Sequence, residues 1–266
     1  MSDELSRMRA ALPRVETLTL ALALAFALGL ALACATACTP ASAAEGDSNG
    51  AAAADFKLTL GRYASSDGNT GLDANLRAGL GPHTAWVGAY RDRSGYRQAR
   101  AGYEFRLDGE TMRTVFSLQS ASGGVAVGSL TAEIGGANYA IVGWGRTNVR
   151  NYVNLNYDPN DAITLGVGTR AISQTELMLF NVHDDRLHTG QNVTHFVLRR
   201  RFESDQRLTV DVFVKRGLTG DGEFVRNDKS ISLGYDRGPL FVRFAHDLHA
   251  GFTSVTQNRL SLGSRF

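Results

Sequence analysis

Apolar and polar side chains alternate with a period of two over most of the chain. In one clear example, between residues 98 and 107, the apolar positions are Ala99, Ala101, Tyr103, Phe105 and Leu107. Successive side chains of a β-strand point to opposite faces, so this pattern predicts strands with one apolar and one polar face. Turn sequences such as Asp108-Gly109 and Asp236–Pro239 separate the alternating segments. The sequence therefore predicts an all-β protein.

The last alternating segment is Asn258–Phe266, in which Leu260, Leu262 and Phe266 share one face. A strand at the end of a chain has an unpaired edge unless an earlier strand covers it. Pairing the last strand with the first one closes a barrel and covers that edge. We therefore expect a single antiparallel transmembrane β-barrel.

This ending resembles the C-terminal signal of bacterial outer-membrane β-barrel proteins, in which an alternating strand ends in an aromatic residue. Leu260, Leu262 and Phe266 match that signal, whereas Ser264 stands where an apolar residue is usual. The resemblance implies a porin-like protein in the outer membrane of a Gram-negative bacterium. It also implies that the barrel-assembly machinery recognises the last strand, and that outer-membrane lipids and lipopolysaccharide surround the barrel.

The number of candidate strands is odd if every alternating segment is counted, including Val153–Tyr157. Single-chain bacterial barrels have an even number of strands. We therefore interpret the poorly alternating segment Glu176–His183 as part of an extracellular loop, which leaves fourteen strands. Twelve is the alternative, because the chain is short for fourteen. In this scheme the turn Asp158–Asp161 lies at the periplasmic end.

The first 44 residues have the layout of a secretory signal peptide. Basic residues near the start precede the apolar run Leu18–Leu32, and small residues follow up to a cleavage site after Ala43 or Ala44. A transmembrane helix is the alternative, but the run is short for a span of about 20 residues. The predicted parts are a signal peptide (1–44), a periplasmic lead-in (45–55) and an outer-membrane barrel (56–266).

Both cysteines, Cys34 and Cys38, lie in this leader, so the exported part contains none. A disulfide framework and a thiolate metal site are therefore excluded there. We expect neither a metal nor another cofactor. The leader has three basic and three acidic residues, so the net charge of +2 belongs to the exported part.

Charged residues occupy many positions opposite the apolar rows, and we expect them to line a pore. They are Asp73, Arg77, Arg100, Glu104, Arg106, Arg113, Arg170, Asp211, Lys215, Arg243 and Arg265. Arginine outnumbers acid in this set, and fixed positive charge in a low-dielectric tube concentrates anions.

The predicted function is a narrow pore for small anionic or polyhydroxylated solutes, or the membrane component of an envelope export system. Ion pairing between strands could instead plug the lumen, which would make the protein a non-conducting structural barrel. In the basic run Arg199–Arg201, we expect the middle residue to face lipid and its neighbours to face the lumen, with no nucleic-acid role. Aromatic residues near strand ends are predicted to form membrane-interface girdles: Tyr63, Tyr90, Tyr103, Tyr157, Tyr235 and Phe266.

Histidines next to carboxylates support a different hypothesis, a rim hydrolase that acts on lipid or peptide. The candidates are His183, Asp184, Asp185 and His188 in one predicted loop, and His246 and Asp247 near another. Histidine beside a carboxylate is suited to general-base catalysis. The sequence contains neither Gly-x-Ser-x-Gly nor His-Glu-x-x-His, so we expect no enzyme.

Overall fold

The structure is a computed structural model that describes residues 54–150, 152–203 and 205–266. The predicted signal peptide, and the predicted lead-in up to residue 53, lie outside this range. Fourteen antiparallel strands form one closed barrel, in which every strand pairs with its neighbours in sequence and the first pairs with the last. The strands are β1 (Asp55–Ser65), β2 (Thr70–Leu80), β3 (His83–Asp92), β4 (Arg97–Asp108), β5 (Met112–Ala121), β6 (Val125–Gly135), β7 (Asn138–Thr147), β8 (Ala162–Thr169), β9 (Thr175–Asp184), β10 (Asn192–Glu203), β11 (Gln206–Leu218), β12 (Phe224–Arg237), β13 (Leu240–Asp247) and β14 (Gln257–Arg265). A short 3₁₀ helix, Ala250–Phe252, lies between β13 and β14.

The barrel closes through the pairing of β1 with β14. Leu60 lies opposite Leu262 in this register. At the very end of the chain, Phe56 and Phe266 exchange two backbone N–H···O hydrogen bonds of 2.9 Å, and their rings stack at 5.8 Å. The edge of the last strand is therefore fully paired, which confirms the prediction of a closed barrel with fourteen strands.

Gly263 in β14 permits a close contact next to this closing seam. A Cβ atom at this position would overlap the ring of Phe241 and the carbonyl oxygen of Leu58. Phe241 is buried on the inner side of the barrel, against the backbone of Gly263. Glycine is therefore required here for space.

Large apolar side chains cover the outside of the barrel. Examples that are at least 40% exposed come from strands all around it: Leu60, Leu118, Leu165, Val167, Phe196, Phe244 and Leu262. A continuous exposed apolar surface of this kind is suited to lipid rather than water. Within the described ranges, no helix is long and apolar enough to cross a membrane.

The two ends of the barrel differ in the length of their connections. The start of β1 and the end of β14 lie at one end, here called the terminal end, where the connections are short, as at 81–82 and 238–239. The opposite end, here called the loop end, carries longer connections, including 148–161 and 248–256. Short periplasmic turns and longer extracellular loops are typical of outer-membrane barrels.

The strand count is confirmed, but two of the predicted segments are wrong. Glu176–His183 belongs to strand β9 and not to a loop, whereas Val153–Tyr157 is not a strand. β9 alternates poorly because its inner face is also apolar: Met178 packs in a buried cluster with Tyr139 and Val197. A strand with two apolar faces has no period of two, so the alternation criterion missed it.

Candidate transport pathway

The connection between β7 and β8, residues 148–161, folds into the barrel, and we call it the inner segment. Its described residues from Tyr152 to Asn160 line a cavity of about 1050 Å³, together with side chains from strands around the barrel wall. The turn Asp158–Asp161 therefore belongs to the loop end, and its predicted place at the periplasmic end is wrong. The alternation of Val153–Tyr157 suggested a strand, but this stretch has no strand partner.

Gln98 on β4 holds the inner segment by its backbone. The side-chain amide donates to the carbonyl oxygen of Val153 at 3.1 Å, and its oxygen accepts from the N–H of Val153 at 2.9 Å. Gln98 is 1% exposed. Its amide therefore supplies the pairing that a neighbouring strand would give elsewhere.

Arg259 on β14 holds the same segment from the opposite wall. Its guanidinium donates to the carbonyl oxygen of Leu155 at 2.9 Å and lies 4.8 Å from the ring centre of Tyr157. β14 is seven strands from β7 in either direction around the barrel. The inner segment, which follows β7, is therefore also held by the strand farthest from β7 around the barrel.

His195 on β10 connects the inner segment to the barrel wall. Its Nε2 is 2.9 Å from Asp158 of the inner segment, and its Nδ1 is 3.0 Å from Asp211 on β11. The imidazole stacks between Phe180 and Phe213, at ring-centre distances of 4.7 and 5.1 Å. Ionised carboxylates only accept hydrogen bonds, so both nitrogens donate together only in the charged imidazolium. Asp158 is therefore held by a charged partner, His195, which is itself buried.

Asp161 fixes the end of the inner segment where β8 begins. It accepts hydrogen bonds from the backbone N–H of Thr147 at 3.1 Å and from Arg186 at 2.8 Å. Asp161 is buried, so its carboxylate depends on these donors. Both ends and the middle of the inner segment are thus fixed to the barrel.

Three cavities follow one another along the barrel axis. At the loop end, a cavity of about 310 Å³ lies against the inner segment, and Tyr152, Asn154 and Asp158 line both it and the 1050 Å³ cavity. At the terminal end lies a third cavity of about 680 Å³, which we call the terminal vestibule. It shares Glu133 and Arg199 with the 1050 Å³ cavity. The 680 Å³ and 1050 Å³ cavities therefore adjoin, and the inner segment lies between the 1050 Å³ cavity and the 310 Å³ cavity at the loop end.

Ion pairs on the inner face connect strands that are adjacent or separated by one strand. The pairs within 4 Å include Arg77–Glu104, Arg100–Asp73, Arg170–Glu133, Arg170–Glu176, Arg199–Glu176, Arg207–Asp236 and Arg265–Asp236. The arginines of these pairs are therefore partly neutralised by a carboxylate on an adjacent strand or on the strand after it. This is the pairing that the sequence suggested as a route to a plugged lumen.

The structure places all eleven predicted pore-lining residues on the inner side. Those that line a cavity are Arg77, Arg100, Glu104, Asp211 and Arg243 in the middle, and Arg106, Arg113 and Arg170 in the terminal vestibule. Lys215 instead is fully buried and pairs with Asp247 at 2.5 Å. It therefore faces the protein interior and not an open lumen. Contact of the others with a permeating solute stays a prediction.

The arginine run on β10 lies as predicted. Arg200 is on the outer side, where it donates to the hydroxyl of Thr175 at 2.9 Å, while Arg199 and Arg201 line the terminal vestibule.

The girdle prediction is wrong for Tyr63, Tyr90 and Tyr157. The first two are buried inside the barrel and contact each other edge to face at 5.6 Å, and the third belongs to the inner segment. The strand registers of Tyr63 and Tyr90 place both side chains on the inner face of the barrel. Proximity to a strand end therefore did not predict which face an aromatic side chain occupies.

The histidines proposed for hydrolysis do not come together. His183 is on β9 and His246 on β13, and three strands separate these two. Both share the outward register of their strands, and His246 Nδ1 lies 2.8 Å from Asn258 Oδ1 on the neighbouring strand. Neither histidine has a carboxylate or a hydroxyl partner among the described residues.

The carboxylates of the same hypothesis have structural partners. Asp184 accepts from the hydroxyl of Thr189 at 2.5 Å and from backbone N–H groups of its own loop. Asp185 binds Arg146 through two hydrogen bonds of 2.6 and 2.8 Å, and these hold the pKa of Asp185 below its ordinary value. His188 lies in the same loop with a positive φ of 55°. Nothing in this loop forms a catalytic arrangement of nucleophile and base.

Sequence reasoning missed several residues that organise the lumen, including His195, Glu133, Glu176 and Asp236. All four lie at strand positions whose side chains face inward, as the predicted pore-lining residues do. This register was the signal in the sequence from which they could have been found. His195 stood in the middle of a predicted strand and had no neighbouring charge in the sequence to single it out.

No family model and no curated relative matches the chain. Among solved structures, it is similar to an outer membrane protein of Acinetobacter baumannii at 9% identity and a TM-score of 0.48, over 80% of this chain and 98% of that one. It is also similar to mutant forms of the Rhodopseudomonas blastica porin, at 10% identity and a TM-score of 0.44, over 80% of this chain and 99% of that one. The KdgM porin shows 8% identity and a TM-score of 0.44, over 79% of this chain and 99% of that one.

Proposed function

We propose that the protein is a channel of the bacterial outer membrane that lets small anionic or polyhydroxylated solutes cross, after export by a cleaved signal peptide. The observation that carries this proposal is the lumen, in which cavities of about 1050 and 680 Å³ adjoin and are lined largely by polar and charged side chains. A barrel of about eight strands is filled by its own side chains, and fourteen strands enclose more space. The apolar outer surface supports the membrane location.

Positive charge in the terminal vestibule supports a preference for anions. Among the residues whose side chains the structure describes, six arginines and three carboxylates line it. A net positive wall in a low-dielectric tube raises the local concentration of anions. Serine, threonine and asparagine side chains in the middle cavity, such as Ser117, Thr164 and Asn75, offer hydrogen bonds to hydroxylated solutes.

A non-conducting structural barrel is the second candidate, and one observation favours it. The inner segment is fixed to β4, β10 and β14 and separates the 310 Å³ cavity from the 1050 Å³ cavity. In this alternative the inner segment is a permanent plug. The rim hydrolase has no such support, and a role in an export system stays a prediction.

Reversal potentials in a salt gradient test the proposed selectivity. The refolded protein in a planar bilayer should prefer chloride to potassium, and Arg106→Glu combined with Arg201→Glu should reduce or reverse that preference. Arg62→Glu and Arg91→Glu, on the outer side near the loop end, are matched controls and should leave it unchanged. Cation preference in the unmodified protein would contradict the proposal.

The last strand is a separate part of the proposal. Leu260 and Leu262 are exposed on the outer face, and Phe266 is 69% exposed at the terminal end. This exposure keeps the predicted signal accessible to the barrel-assembly machinery. Deletion of Phe266 should lower the amount of assembled barrel in the outer membrane while leaving refolding in detergent less affected.

A further inference from the structure

The ratio of arginine to carboxylate differs between the two ends of the barrel. Of the side chains that the structure describes, six arginines and three carboxylates line the terminal vestibule. The cavity at the loop end is lined by one arginine, Arg150, and by three aspartates: Asp158, Asp161 and Asp184. An anion in the lumen is therefore stabilised at the terminal end and meets carboxylates beyond the inner segment.

Two guanidinium groups in the terminal vestibule have no acidic partner. Within the described part of the chain, Arg106 and Arg201 have no carboxylate oxygen within the 4.0 Å that defines an ion pair. Both residues are exposed. Arg113 reaches Asp108 only at 3.8 Å, with both side chains more than half exposed. Three arginines of this cavity therefore have hydrogen-bond donors available for a ligand.

These three arginines lie on two sides of the cavity, with Arg106 and Arg113 on adjacent strands and Arg201 across from them. Arg106 is on β4 and Arg113 on β5, whereas Arg201 is on β10, six strands from β4 in the shorter direction. Arginine presents a planar pair of N–H donors that matches a carboxylate or a phosphate. Donors on well-separated strands suit a solute whose anionic groups are themselves separated.

We propose that the terminal vestibule is a binding site for a multivalent anion with two or more separated carboxylate or phosphate groups, held by Arg106, Arg113 and Arg201. The inference rests on the proposed function in treating the lumen as a solute pathway, but binding itself requires no conduction. Gln174 lines the same cavity and offers hydrogen bonds to the uncharged part of such a solute.

Titration calorimetry of the refolded protein in a zwitterionic detergent tests the site, with citrate as a trivalent probe and acetate as a monovalent one. Citrate should bind at least about tenfold more tightly than acetate, because several arginines contact it at once. Arg106→Gln combined with Arg201→Gln should weaken citrate binding by at least about tenfold. These substitutions leave no carboxylate without a partner, so the barrel should still fold.

The matched control is Arg62→Gln combined with Arg91→Gln, which removes two exposed arginines from the outer side and should leave citrate affinity unchanged. Equal affinities for citrate and acetate would overturn the inference. Equal losses of citrate affinity in the two double variants would overturn it as well. Conductance of the same preparation separates the two proposals. Citrate binding without conductance supports the site and contradicts the channel, whereas conductance without citrate binding overturns the site alone.

Discussion

Removal of the Asp158 carboxylate should loosen the inner segment. In the structure this carboxylate joins the inner segment to His195 at 2.9 Å, and the imidazole stays bound to Asp211 on the other side. Asp158→Ala therefore removes the connection without leaving the imidazolium unpaired. The barrel wall should stay intact, and the change should act on the equilibrium between the bound and the displaced inner segment.

The expected shift of this equilibrium follows from the hydrogen bond that Asp158→Ala removes. A hydrogen bond to a charged group contributes about 1.5–3 kcal/mol. Because the Asp158 side chain is 32% exposed, solvent weakens the interaction, and the lower end, about 1.5 kcal/mol, applies. That free energy corresponds to about a tenfold increase in the displaced fraction.

Hydrogen exchange measured by mass spectrometry reads this equilibrium at the backbone N–H of Val153, which is bonded to Gln98 and not to the substituted residue. The exchange rate in peptides from the inner segment should rise about tenfold in Asp158→Ala. Glu110→Ala, in a turn at the terminal end, removes a carboxylate far from the segment and is the control. Unchanged exchange in Asp158→Ala would refute the idea that His195 holds the segment.

Three further predictions concern the barrel itself. Gly263→Ala should lower the stability of the barrel by about 1–3 kcal/mol, because the added methyl group overpacks the contact with Phe241. A gel-shift assay should show this as a lower unfolding temperature. Gly136→Ala is the control, because the position has open space around it and the unfolding temperature should not change. Lys215→Met should lower the free energy of unfolding by about 3–5 kcal/mol, because it leaves the buried carboxylate of Asp247 without its cationic partner. Adding Asp247→Leu should restore much of that stability. A double variant that is less stable than Lys215→Met would contradict this. The pKa of Asp185 is lowered in the folded protein, so its stabilising effect is complete above about pH 4, the unfolded value, and is lost as the pH falls through the folded value. The protection of residues 185–191 against hydrogen exchange, relative to the intrinsic exchange rate at each pH, should therefore fall under acid, and constant protection would argue against it.

The barrel was predictable because most strands have chemically different faces. β4 and β14 show a period of two, with lipid on one side and a polar lumen on the other. β9 was not predictable in this way, because Met178 packs in a buried cluster on the inner side and removes the contrast between its faces. Alternation therefore detects strands that border water, and fails where the inner face is packed.

The inner segment was beyond the reach of local patterns. Val153–Tyr157 alternates as a strand does, but its partners are Gln98 and Arg259, which are 55 and 104 residues away from the positions they bind. Such distant hydrogen bonds leave no periodic trace in the sequence. The register along each strand predicted which charged side chains face inward. The ion pairs among those side chains, and the lack of an acidic partner for Arg106 and Arg201 among the described residues, could be seen only in the three-dimensional structure.

Single-channel conductance of the refolded protein in a planar bilayer tests the central claim most directly. A channel should give discrete, reproducible current steps carried mainly by anions, with larger steps or more frequent openings in Asp158→Ala. Silence from a preparation whose gel mobility shows a folded barrel, in both the unmodified protein and Asp158→Ala, would contradict the channel and favour the structural barrel.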